Sequence, residues 1–421
     1  KILIKQAKII DSSSKHNNKI CDILINNNKI EKIAKKIQID SDTKIYKNEN
    51  LHVSQGWFDM HVNFGQPGFE QRETIENGLN AAAKGGFTEV LLMPNTNPSI
   101  DNSSMIDFIK SFSKRNVVKI QVAGNLTVSQ EGKNIVEIHD MTNNGCIAFT
   151  DDKKSIQNNE LMKIALLYIK NSSSLLMNFP NDSKIQKNGV INEGKISTQL
   201  GLKGIPNIAE EMMLDRDITL CDYTESKIHE SYISTERSVD KIKKAKEKGI
   251  NITSDVALHN IFLTEEQVNN FDTRFKVLPP LRTKKDNKAI INGLKDGTID
   301  VITSDHNPFE EETKKLEFDN AEFGIIGLES AFGLINKHLE KYLTLNEIID
   351  KISNNPRKIL GLKNNSVEEG NYANLTLFNP TNKWEFKESD IVSKSKNSPF
   401  VGEELQGKAL AIYNNNRFKE L

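Results

Sequence analysis

Apolar and charged residues alternate through the first ten positions, KILIKQAKII, as expected for a strand with one buried face. A second run, CDILINNNKIEKI, carries an Asn cluster at 26–28 that reads as a hairpin turn. The same texture returns after Gly370 in NYANLTLFNP, in KWEF and in a last strand near ALAIYNNNRF. Both ends of the chain are thus β-rich. They predict one small composite β-sandwich domain built from residues 1–52 and 366–421.

Between them, over 53–365, strands alternate with amphipathic helices. TEVLLMP, KIQVAGN, GCIAFTD, SLLMNF, KIHESYIS, INITSDV and DVITSDH read as strands. SSMIDFIKSFSKR, NELMKIALLYIKN, IPNIAEEMMLDRDITLCDYT, SVDKIKKAKEKG and KDNKAIINGLKDG read as helices. Such a succession implies parallel strands joined by right-handed crossovers. About eight repeats favour the α/β class in the form of a closed (β/α)8 TIM-type barrel. The polar stretches 180–199 and 307–322 are expected as long loops at the barrel mouth, where such folds place their sites.

Composition narrows the function. The net charge is −1, with 56 basic and 57 acidic residues, so the basic surface that nucleic-acid binding needs is missing. No GxGxxG or Walker-type loop suggests a nucleotide. No apolar run approaches the ~20 residues of a membrane helix. Cys21, Cys146 and Cys221 lie far apart without a CxxC pattern, as reduced thiols of a cytoplasmic protein do.

The chemistry lies in GWFDMHVNFGQPG, directly after the first β segment. A strand ending in His-x-His would place two imidazoles on one face as a metal clamp; here the pair is His61 and Asn63. With GGFTEVLLMPNTNP, AFTDD at 148–152, GLKGIPNIAEEMMLDRDI, STERSVDKIKKAKEKGI, PPLRTKKDNKAIINGLKDGTIDVITSDHNP and FGIIGLESAF, the chain closely resembles the class I dihydroorotases of the amidohydrolase superfamily. That family interconverts carbamoyl aspartate and dihydroorotate in pyrimidine synthesis with bound zinc.

The resemblance implies six metal ligands, and this chain keeps three of them. His61, Asp151 and Asp305 match, Asp305 also as the catalytic carboxylate, whereas Asn63, Asn178 and Tyr232 stand where histidines are expected. Asn95 matches a substrate-binding residue. Gly65 replaces the arginine expected to hold a substrate carboxylate, Gln66 an acid, Leu278 an asparagine and Phe309 a histidine. Loss of these donors and cations removes the pairing that a doubly charged substrate needs. His229 and His259 fall near strand ends, where a shift of register would recruit them to a metal; His306 is expected to point away from Asp305.

The leading expectation is a non-catalytic relative with a structural or regulatory role. Aspartate transcarbamoylase is the partner that the resemblance implies, self-association is admitted, and neither nucleic acid nor membrane is expected. At most one zinc ion is expected. Two alternatives stay open: a working cyclic amidohydrolase in which His61 with Asp151 or Asp305 holds a single metal, and a module that binds a small uncharged metabolite. The mouth of that module would be lined by Asn63, Asn95, Asn178, Tyr232 and Phe309.

Overall fold

A computed structural model describes residues 1–38 and 41–421. Eight parallel strands form the central sheet in strict chain order: Trp57–Val62, Phe87–Leu92, Lys119–Gly124, Cys146–Phe149, Leu175–Asn178, Ile228–Glu230, Ile252–Ala257 and Val301–Thr303. The ring closes where Val62 bridges His306 in parallel and the Asn63 N–H donates to the His306 carbonyl at 2.9 Å. A barrel with consecutive neighbours throughout is what repeated right-handed βα units produce.

Local chemistry sets the segment boundaries. Helix Ile75–Lys84 starts at Thr74, whose hydroxyl accepts from the Asn77 N–H. It ends at the Gly85-Gly86 break, and Gly86 has φ +91° with no room for a Cβ against Trp57. Helix Lys284–Asp296 has a capping box between Thr283 and Asp286 and stops at left-handed Gly297.

Two apolar layers follow from the side-chain alternation. Inside the ring, Phe58, Met60, Leu91, Ala123, Met177 and Val301 pack into a plug. Outside it, residues such as Val90, Val122, Phe149 and Leu176 pack against the surrounding helices. The barrel interior is therefore a filled core, and the C-terminal rim is where such folds place their chemistry.

Both termini build one further sheet of eight strands, including Ile2–Ile9, Ile20–Asn26, His52–Gln55, Leu375–Glu385 and Glu404–Asn414, around an apolar core of their own. The expected two-ended β domain is therefore present as a single hydrogen-bonded sheet. It runs through Gln55, three residues past 52, and passes into the barrel at Gly56. A Cβ at Gly56 would lie 2.1 Å from Asn374 Oδ1 and Thr88 Oγ1, so only glycine fits this junction. Beneath it the buried Arg357 donates to the Gly56 carbonyl at 2.6 Å. The three cysteines are buried and free. Among the described residues, no helix is long and apolar enough to cross a membrane.

Candidate functional site

The C-terminal rim of the barrel gathers the titratable side chains. His61 belongs to the first strand at a β-bulge, where its register with the second strand shifts between Asp59 and Val62. Its Nε2 lies 2.6 Å from Asp255 Oδ2, on the seventh strand. The same oxygen meets His229 Nε2 at 2.8 Å, while Asp255 Oδ1 accepts from the Tyr232 backbone N–H at 2.7 Å. Thr253 Oγ1, 2.8 Å from Nδ1, fixes the other side of the His229 ring. His61, His229, Tyr232 and Asp255 are all buried.

A second cluster sits alongside. Lys153 Nζ donates to both oxygens of Asp305 at 2.8 Å and lies 4.7 Å from the Tyr232 ring centroid. The Tyr232 hydroxyl donates to Asp152 Oδ1 at 3.2 Å, and Asn95 Nδ2 donates to Asp152 Oδ2. Asn95 Nδ2 also reaches Asn63 Oδ1 at 2.9 Å, and Asn95 Oδ1 accepts from Gln130 at 3.0 Å. His259 is packed against this group, its Nε2 3.9 Å from Asp305 Oδ2, with both ring nitrogens unpartnered.

Three residues of the rim have left-handed backbone: Asp152 (φ 47°), Tyr232 (φ 59°) and Asp305 (φ 48°). Side chains bearing a Cβ rarely adopt this region, and residues held there gather at functional sites because surrounding contacts over-determine them. Each follows the end of a barrel strand, where the chain turns into a loop.

Burial and neighbouring charge set the protonation. Burial opposes the His61 imidazolium, yet Asp255 outweighs it and holds the pKa above its ordinary value. Burial likewise works against the Asp255 carboxylate, and its two imidazole partners hold it well below the usual range. The result is an ion pair shared among three side chains. Burial pushes Asp305 up to about 6 although Lys153 opposes it. Burial, helped by Lys153, brings His259 down to about 3, and burial alone does the same to His306. The Tyr232 phenol is raised well above its normal range by burial and then by the surrounding carboxylates, so it remains a neutral donor.

The expected ligand positions divide as follows. His61 and Asp305 reach the rim, and His229 joins them. Asp151 does not: its carboxylate accepts from the Leu126 and Thr127 N–H groups at 2.9 Å and from the Thr127 hydroxyl, and the neighbouring Asp152 faces the cluster in its place. Asn178 is drawn off by Asp217, to which its Nδ2 donates at 2.8 Å. His306 packs edge-on against Phe64 and accepts from the Gly327 N–H, away from the carboxylates. Asp255 and Lys153 carried no motif, and Asp152 is the neighbour, within the AFTDD run, of the residue expected to be the ligand. INITSDV mixes apolar and polar residues, and nothing in that pattern set Asp255 apart.

Above the clusters opens a cavity of about 630 Å3 whose lining includes Arg72, Asn95, Asp152, Lys153, Leu278 and Phe309. Of the residues expected to line a metabolite pocket, Asn95 and Phe309 do so, while Asn63 and Tyr232 lie buried below them. Arg72 is held between the rings of Phe69 and Phe309, at 4.5 and 4.6 Å from their centroids.

A two-zinc centre of the kind the resemblance implies does not fit these residues. An amide, an amide and a phenol replace three imidazoles, and both oxygens of Asp305 are bound to an ammonium. One ion has a chemically suitable set in His61, His229 and Asp255, whose ligand atoms lie within 4.8 Å of one another. In this structure both imidazoles are bonded to the same oxygen of Asp255.

Comparison with known proteins agrees with this barrel and its terminal sheet. The family described as Dihydro-orotase-like matches residues 52–238, and the Amidohydrolase family matches 207–408. Proteins named dihydroorotase from Thermoanaerobacter sp. (strain X514) and Caldicellulosiruptor saccharolyticus are each 42% identical to the chain. The first match covers 97% of this chain and 94% of that protein, the second 100% and 98%. Among solved structures, the L-hydantoinase of Arthrobacter aurescens superposes with a TM-score of 0.88 over 100% of this chain and 97% of its own, at 18% identity, which establishes the shared fold. With near-complete overlap at this level of identity, the chain belongs to the dihydroorotase family of the amidohydrolase superfamily.

Proposed function

We propose that this chain is a non-catalytic member of its family that serves pyrimidine synthesis in the cytoplasm as a structural or regulatory subunit, with aspartate transcarbamoylase as its partner. The observation that carries the loss of catalysis is the pairing of Asp305 with Lys153. A carboxylate that must hold a metal and pass protons has both oxygens engaged by a cation from its own chain. The replacements at 63, 178 and 232 support the same reading, because neutral amides and a buried phenol are poor zinc donors.

The apolar residues Leu278 and Phe309 at the cavity also suit a protein released from binding a doubly charged substrate. An intact core beneath an altered rim is what a retained binding partner would preserve. For the partnership itself the support is the family resemblance. The test is direct. Purified chain should show no turnover of dihydroorotate or carbamoyl aspartate, and should co-elute with the transcarbamoylase of its own organism in gel filtration. Turnover at rates typical of enzymes, or separate elution at micromolar concentration, would reject the respective half of the proposal.

A second reading rests on the His61, His229 and Asp255 group. If that group held one ion, the chemistry it would supply is activation of water as a nucleophile at neutral pH. This chain would then share the hydrolase activity that the names of its relatives state. Around such an ion, His61 and His229 would be the nitrogen donors, and Asp305 the nearby carboxylate able to move a proton. Activity that depends on added metal and vanishes in His229→Ala would favour this reading.

A further inference from the structure

The carboxylates of the rim need positive charge, and for Asp305 the chain supplies it through Lys153. Asp152 and Asp305 are both buried, at 3% and 1% exposure. A buried carboxylate without a partner is costly, and in a metal centre the ion provides that partner. Here Lys153 Nζ donates 2.8 Å bonds to both oxygens of Asp305. It also rests over the face of Tyr232, whose hydroxyl in turn binds Asp152. Its side chain is only 15% exposed, and it belongs to the lining of the 630 Å3 cavity above.

We infer that Lys153 is a built-in cation that takes the place of a metal ion at Asp305, closing the rim to divalent ions and making the fold independent of them. The inference rests on the non-catalytic reading above but concerns metal alone. An ammonium can do this because it is a compact charge with three donors: two reach Asp305, and the charge itself faces an aromatic ring. Tyr232 is part of the same device. An imidazole there would offer a metal donor, whereas the phenol offers a ring face to the ammonium and a hydroxyl to Asp152.

The test compares wild type, Lys153→Met and Lys153→Arg, each stripped with EDTA and dialysed, by thermal unfolding with and without ZnCl2 and by metal analysis. For wild type and Lys153→Arg we expect no shift of Tm with zinc or EDTA and substoichiometric zinc. For Lys153→Met we expect a lower Tm that zinc raises by several degrees, with saturable uptake near one ion per chain. Stoichiometric zinc in wild type overturns the inference, whether or not the protein turns over dihydroorotate. So does a Lys153→Met protein that is as stable as wild type and ignores zinc. Should Lys153→Met fail to fold, the wild-type and Lys153→Arg measurements decide the matter alone. Dihydroorotate turnover by zinc-free wild type would reject the non-catalytic reading and leave the role of Lys153 intact.

Discussion

Replacing Asp255 with alanine is the perturbation whose size follows most directly from the structure. The carboxylate accepts three hydrogen bonds, from His61 at 2.6 Å, from His229 at 2.8 Å and from the Tyr232 N–H at 2.7 Å. None of these groups is more than 1% exposed, so water cannot take its place. Removing one member of a buried ion pair costs about 3–5 kcal/mol, and an orphaned backbone N–H adds about 1–3 kcal/mol. Part of this is recovered, because His61 can shed its proton once its counter-charge is gone. A loss of roughly 4 kcal/mol at pH 7 is therefore expected. Urea unfolding followed by far-UV circular dichroism reads it, with His61→Gln and the double variant completing a cycle. The double variant should lose about 2 kcal/mol less than the sum of the two single changes, as coupled neighbours do. Adding EDTA should leave all four proteins unchanged. A loss under about 1 kcal/mol would refute the reasoning, since that is the range of an unimportant surface change. A loss seen only without chelator would show that the group holds an ion.

Three further outcomes follow from the same geometry. His259 and His306 have folded pKa values of about 3 against an ordinary 6.5, so the stability they contribute is full above pH 6.5 and is lost as pH falls from there towards 3. Asp305, raised to about 6, works the other way between pH 6 and 4, as does Asp217, so the fall in stability with acid that one histidine causes is read as the difference between its variant and wild type. His306→Gln should flatten that fall by about 1.4 kcal/mol per pH unit, the value of one proton; an unchanged slope would contradict the assignment. Gly56→Ala should cost about 3 kcal/mol, because a Cβ there meets Asn374 and Thr88 at 2.1 Å, and a thermal melt equal to wild type would contradict it. Asp151→Asn should weaken the loop at Leu126 and Thr127 by about 1–3 kcal/mol while leaving zinc response untouched; a change in metal response would return Asp151 to the rim.

The architecture was legible because it is written in period. Strands such as KIQVAG and helices such as Lys284–Asp296 lie where alternation and helical spacing put them, and the two β-rich ends do meet in one sheet. The site was legible only where a motif marked it, as for His61, Asp305 and Asn95. Asp151 and Asp152 show the limit. They are adjacent, and which of them faces the rim depends on the left-handed turn at Asp152, a conformation no alternation pattern foretells. Lys153 pairs with a residue 152 positions away, and Asp255 lies 194 positions from His61. Such partnerships arise when barrel closure brings distant strand ends together. The bulge at His61 adds a local change of direction, so that His61 turns to Asp255 while Asn63, two residues on, meets Asn95.

The central claim is that ion pairs within the chain hold the barrel rim where its relatives' resemblance implies metal. Crystals grown in zinc and measured at the zinc absorption edge test it most directly. The account predicts no anomalous peak among His61, His229, Asp255 and Asp305, with Lys153 still bonded to Asp305. A strong peak coordinated by His61, His229 and Asp255, or a zinc ion displacing Lys153 from Asp305, would contradict it.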